Sequence, residues 1–203
     1  LKLSVSRRLP RSLRDLLKDT SQTADQKGYF GEILAMSGKL DNIKALVGQI
    51  GHTESQQEKE ALAESLELTL GGDDIVKFLS EYMENPDSTL KEAAVAAVSN
   101  QGSRLAAESL YKNAVDGKNP DGYYSMGIGL GEFVPDEESY GFLQDQVLKK
   151  DEYSHLAVKA LINSGLPGIT MVVDVLSNSA DANDSALLKD AVVVLVWESK
   201  SVK

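Results

Sequence analysis

His52 and His155 are the only imidazoles in the sequence, and they stand 103 residues apart. A metal ion takes three or four ligands in one geometry, and neither histidine has further donors at ligand spacing. His52 follows Gly51 near the end of a helical stretch, where a cation suits the helix dipole. His155 opens another helix, and both are expected to be structural. Gly127, Gly129 and Gly131 form the run GIGLGE. A phosphate loop needs G-x-G-x-x-G between a strand and a helix. Here the spacing differs, and the run falls within a helix. There glycine allows close packing and costs about 1 kcal/mol relative to alanine. The acidic pairs Asp73–Asp74 and Asp136–Glu138 follow chain turns and read as helix caps and dipole partners. An EF-hand loop would be needed to turn such acids into a calcium site. With no cysteine in the chain, disulfides, thiolate catalysis and cysteine zinc sites are excluded. No G-x-S-x-G, H-E-x-x-H or P-loop pattern occurs. No catalytic residue, metal ligand or cofactor is therefore expected.

Charge narrows the partners. The chain carries a net −10, yet its first 20 residues hold six Lys/Arg against two Asp/Glu. The remaining acidic body repels phosphate backbones, so nucleic acid is not an expected partner. The basic start reads as a solvated helix face. No run of apolar residues is long enough for a transmembrane helix; the longest is Ala191–Trp197. The sequence opens on Leu1 and is expected to be a processed product or an excised piece. It does not indicate a compartment.

The elements that would carry any function emerge from an internal repeat. Leu46, Leu79, Leu110, Leu143 and Leu176 are spaced by 33, 31, 33 and 33 residues. Three residues earlier stand Ile43, Val76, Ala107, Tyr140 and Val173; four later stand Ile50, Met83, Ala114, Val147 and Ala180. Offsets of −3, 0 and +4 share one helix face. Eight residues before each leucine stand Gly38, Gly71, Gly102, Pro135 and Gly168, which suit a tight turn or a first helical turn. Sixteen before it stand Phe30, Ala63, Ala94, Gly127 and Ala160, mostly small, which permits a second helix to approach closely. Each unit thus reads as a first helix, a turn, a second helix and a polar link. The links are Asn85–Ser88, Asp116–Gly122 and Ser179–Ser185. The frame extends to a lone second helix around Leu13 and Leu17 and to a lone first helix over residues 185–199. Apolar on all sides, Ala191–Trp197 calls for burial on more than one face. It is expected to pack on a missing continuation or, by self-association through Val192–Trp197, on a second copy.

Paired helices of this length, with small residues in the first and Gly or Pro between the two, resemble HEAT and armadillo-type repeats over about residues 9–199. The resemblance implies one all-α domain over residues 1–203. That domain would be a right-handed α-solenoid of about five helix pairs with a half-unit at each end. Tetratricopeptide and ankyrin signatures are absent. HEAT-like hydroxylases bind iron through His-Glu pairs, but neither histidine here is followed by Glu. The expected function is a non-catalytic scaffold binding a protein or peptide on a concave face lined by the second helices. Candidate contact residues flank the repeat leucines: Lys77, Glu81, Glu108, Tyr111, Lys112 and Asp145. The alternative is a lyase or enzyme accessory with a pocket between repeats.

Overall fold

Short polar side chains start most of the helices. The computed structural model describes residues 12–116, 133–150, 154–177 and 189. Among them stand ten helices: α1 (Leu13–Leu17), α2 (Ala24–Met36), α3 (Leu40–His52), α4 (Gln56–Glu67) and α5 (Asp73–Ser80), then α6 (Ser88–Ser99), α7 (Arg104–Asp116), α8 (Glu137–Lys149), α9 (Ser154–Asn163) and α10 (Leu166–Leu176). Ser12 with Asp15, and Thr23 with Gln26, form capping boxes at α1 and α2. Ser55, Asp87 and Asp136 accept backbone N–H bonds at the starts of α4, α6 and α8. No strand occurs among the described residues. The protein is all-α, with helices packed on one another in a way consistent with a helical-repeat architecture.

The expected register of the second helices appears in the burial. Leu46, Leu79, Leu110 and Leu143 have no exposed surface, and Leu176 has almost none. Ile43, Ile50, Val76, Met83, Ala107, Ala114 and Val147 are buried beside them, while Tyr140 and Val173 are half-buried. The first helices bury their own triads at i, i+3 and i+4: Gly31/Leu34/Ala35, Leu62/Ser65/Leu66, Ala94/Ala97/Val98 and Ala157/Ala160/Leu161. These begin 15, 17, 16 and 19 residues before their leucines. At the positions sixteen before the leucines, Ala63, Ala94 and Ala160 are buried and Phe30 is half-buried; the turn between paired helices runs from two residues before α10 to five before α5.

Gly38 and Gly102 turn the chain as expected, with φ of 63° and 66°. The turn before α10 belongs to Gly165, with φ 73°, and Pro167 opens the helix behind it. Gly168, assigned to that turn by the repeat, instead lies in the first turn of α10. A Cβ there would overlap the Leu161 carbonyl of α9. Gly168→Ala should therefore destabilise by about 1–3 kcal/mol, the cost of overpacking. Urea unfolding followed by circular dichroism measures it, and a neutral result would refute the close approach. Pro135 likewise sits just before the cap Asp136 and outside the first turn of α8.

The chain groups into two compact units, Leu1–Gly71 and Gly72–Lys203. In the first, α2 packs along α4, α3 lies against both, and α1 contacts α2 and α3. Gly28 faces Ala61, and Gly31 faces Ser65, where an added Cβ would come within 2.9 Å. The Ser65 hydroxyl lies 2.8 Å from the Gly28 carbonyl and 2.7 Å from that of Ala61. The Arg14 Nε donates to Asn42 Oδ1 at 2.8 Å, and the Asn42 amide donates to Ser37 Oγ at 2.8 Å. In the second unit, α6 packs on α5 and α7, and α9 on α8 and α10. The glycine run at 127–131, the links beyond residue 116, and the apolar segment Ala191–Trp197 all lie outside the described residues.

Candidate partner-binding face

Within the second unit the second helices follow one another in space as in sequence: α5 packs on α7, α7 on α8 and α8 on α10. Because each turns its repeat leucine inward, the residues two before and two after that leucine turn outward. Lys77 and Glu81 at α5, Lys112 on α7 and Asp145 on α8 are exposed. Glu108 on α7 is partly exposed. It accepts a hydrogen bond from the Arg104 Nε at 2.7 Å, an i,i+4 ion pair on the helix surface. That bond and the charge of Glu108 hold the Arg104 guanidinium even more firmly protonated, against an opposing effect of burial and with a lesser contribution from Asp145.

Tyr111 requires a correction. It is 5% exposed and belongs to the packing between α7 and α8. Its ring meets Phe142 edge-on at 5.9 Å between centroids, and the Lys149 Nζ stands 5.8 Å from the ring centroid. A helix with neighbours on two sides buries a stripe wider than −3, 0 and +4, and the position after the leucine falls under its edge.

The other singled-out groups have local roles. His52 lies in the last turn of α3, where its Nδ1 is 2.5 Å from the Gly48 carbonyl, so the proton belongs on Nδ1. His155 is the second residue of α9. Asp136 is a true cap, accepting from the backbone N–H groups of Glu138 and Ser139. Asp73 and Asp74 lie in the first turn of α5 behind Gly72, without a side-chain cap bond, and so act through the dipole. Among the described residues no group of three or more His, Asp or Glu side chains can hold a metal ion.

Sequence reasoning passed over the most buried charge in the first unit. Lys27 of α2 is 4% exposed, and its Nζ meets Glu58 Oε2 of α4 at 2.9 Å. The Gln49 amide of α3 donates to the same carboxylate at 3.1 Å. Burial pushes the Glu58 carboxyl up. Hydrogen bonds from Lys27 and Gln49, the Lys27 charge and a bond from Thr53 together outweigh it and hold the group below its ordinary value. The available signal was position: Lys27, Gly31 and Leu34 are spaced by four and three on the inward stripe of α2. The arrangement ties three helices together through one carboxylate.

No protein-family model and no curated protein matches the chain. One similar solved structure is the crystal structure of an engineered protein. It is 18% identical, with a TM-score of 0.41, covering 91% of this chain and 96% of that one.

Proposed function

We propose that the chain is a HEAT-like, right-handed α-solenoid of about five helix pairs with a half-unit at each end. On this reading it is a non-catalytic scaffold that holds a protein or peptide on a concave face lined by the second helices. The observation that carries the reading is the consecutive packing of α5, α7, α8 and α10, with Lys77, Glu81, Lys112 and Asp145 exposed on α5, α7 and α8. Such a row offers charges of both signs along an extended surface, which supports a polar, sequence-selective protein contact. The net charge of −10 opposes nucleic acid as the partner. Among the described residues no helix is long and apolar enough to cross a membrane.

The test compares the wild-type chain with a variant carrying Lys77→Glu, Lys112→Glu and Asp145→Lys. Both are immobilised, and proteins retained from the native source are identified by mass spectrometry. The proteins lost from the variant are then made and titrated directly. The expected result is a partner whose affinity falls about tenfold or more with the reversed charges. A variant with an unchanged thermal melt and unchanged affinity for every retained protein would remove this face from the proposal.

A further inference from the structure

We infer that the outward face of α8 seats an extended, basic segment of the partner, whose main chain lies directly on Gly141; this rests on the second-helix reading of the binding face. Among the described residues, glycines inside helices fall into two groups. Gly28, Gly31 and Gly168 each admit a neighbouring helix, so that a Cβ would press on Ala61, Ser65 or Leu161. Gly48, Gly51 and Gly141 have nothing within 4 Å of the place a Cβ would take, and none of these three has a positive φ. All three belong to second helices, two and five residues after Leu46 and two before Leu143. Those offsets turn away from the buried stripe.

Gly141 is the one furthest inside its helix. Gly48 and Gly51 fall in the last five residues of α3, whereas Gly141 has four residues of α8 before it and eight after. Glycine inside a helix is less favourable than alanine, because it gives up more backbone freedom. Neither packing nor backbone conformation within the chain offsets that loss here. What glycine supplies at such a position is bare main chain, open to close approach by a ligand.

The charges around Gly141 select the occupant. Within one turn of it on α8 the charged residues are Glu137, Glu138 and Asp145, all exposed. No described ion pair involves them. On the flanking α7, Arg104 holds Glu108 at 2.7 Å, and at the far end of α8 the Lys149 Nζ stands over the Tyr111 ring. Glu138 and Asp145 share one stripe with Gly141 between them. At about 1.5 Å of rise per residue they stand about 10 Å apart along the axis. A polyproline II segment rises about 3.1 Å per residue with three residues per turn, so its residues i and i+3 point the same way, about 9 Å apart. The occupant is thus a polyproline II segment with Lys or Arg three residues apart, lying along α8. A partner helix would be held off the bare backbone by its own side chains. Nucleic acid, or a second copy of a chain with net charge −10, brings like charge to the same carboxylates.

The probe is a fluorescent proline-rich peptide with two arginines three residues apart, and its counterpart has glutamates in their place. Both are titrated into the full chain. The arginine peptide should bind, and binding should weaken as salt rises. Glu138→Lys with Asp145→Lys should weaken it about tenfold or more. Gly141→Ala separates the roles of the glycine. It should raise the urea midpoint, since alanine favours the helix and meets no neighbour, and yet weaken the arginine peptide about tenfold. Equal binding of the two peptides, binding of neither, a lowered urea midpoint in Gly141→Ala, or full affinity in that variant would overturn the inference. Full affinity in Gly141→Ala with loss in Asp145→Lys removes the close approach and keeps the face. Indifference of a native partner to Lys77→Glu, Lys112→Glu and Asp145→Lys removes the face itself.

Discussion

Leu110→Ala, Leu79→Ala and Leu143→Ala should each destabilise the protein by about 2–5 kcal/mol. All three side chains have no exposed surface. Each stands at the centre of a buried stripe on a second helix: Leu110 lies between Ala107 and Ala114, and Leu143 has Val147 one turn on. Truncation removes the transfer free energy of the lost atoms and leaves a cavity that helices on either side cannot both close. The controls are Lys77→Ala and Lys112→Ala, exposed two residues away from Leu79 and Leu110, which should lie within about 0.5 kcal/mol of wild type. Urea unfolding followed by helical ellipticity separates the two groups. Neutral leucine truncations would mean that the repeat frame misplaces the core.

Lys27→Ala should cost about 3 kcal/mol, the lower end of the range for breaking a buried ion pair. The carboxylate of Glu58, on a side chain 14% exposed, would keep the Gln49 bond and lose its cation. Replacing both partners by apolar residues, Lys27→Met with Glu58→Leu, should be close to neutral, since no charge is then left buried. The pH dependence follows from the sign of the shift. The Glu58 group is held below its ordinary value of 4.5. Its contribution is therefore fully present above that value and is lost as pH falls through the lower folded one. In Lys27→Ala the main opposing cation is gone, and protonation at low pH relieves the variant. The stability gap between wild type and variant should thus be widest near neutrality and narrow as the pH falls below 4.5. A gap that stays constant with pH would show that packing of the lysine stem, and not the charge pair, is what the variant loses.

Much of the architecture was legible because apolar periodicity reports the inward face of a helix directly. The leucine frame located α3, α5, α7, α8 and α10, and Gly38 and Gly102 marked two of the turns. The all-helical class, the cap at Asp136, and the outward placement of Lys77, Glu81, Lys112 and Asp145 follow from local rules. Those rules depend only on residues within one or two turns of each other.

Tertiary packing decided the rest. A periodic pattern marks the middle of a buried stripe but not its width, which depends on how many helices lie alongside; Tyr111 was covered for that reason. The length of the turn between paired helices is free to vary as long as each apolar face meets the core. Gly165 takes the turn before α10, while Gly168 makes room for Leu161. A lysine on an inward stripe is tolerable only when a carboxylate from another helix comes to meet it. Lys27 and Glu58 lie 31 residues apart in sequence, and only the parallel packing of α2 on α4 brings them to 2.9 Å.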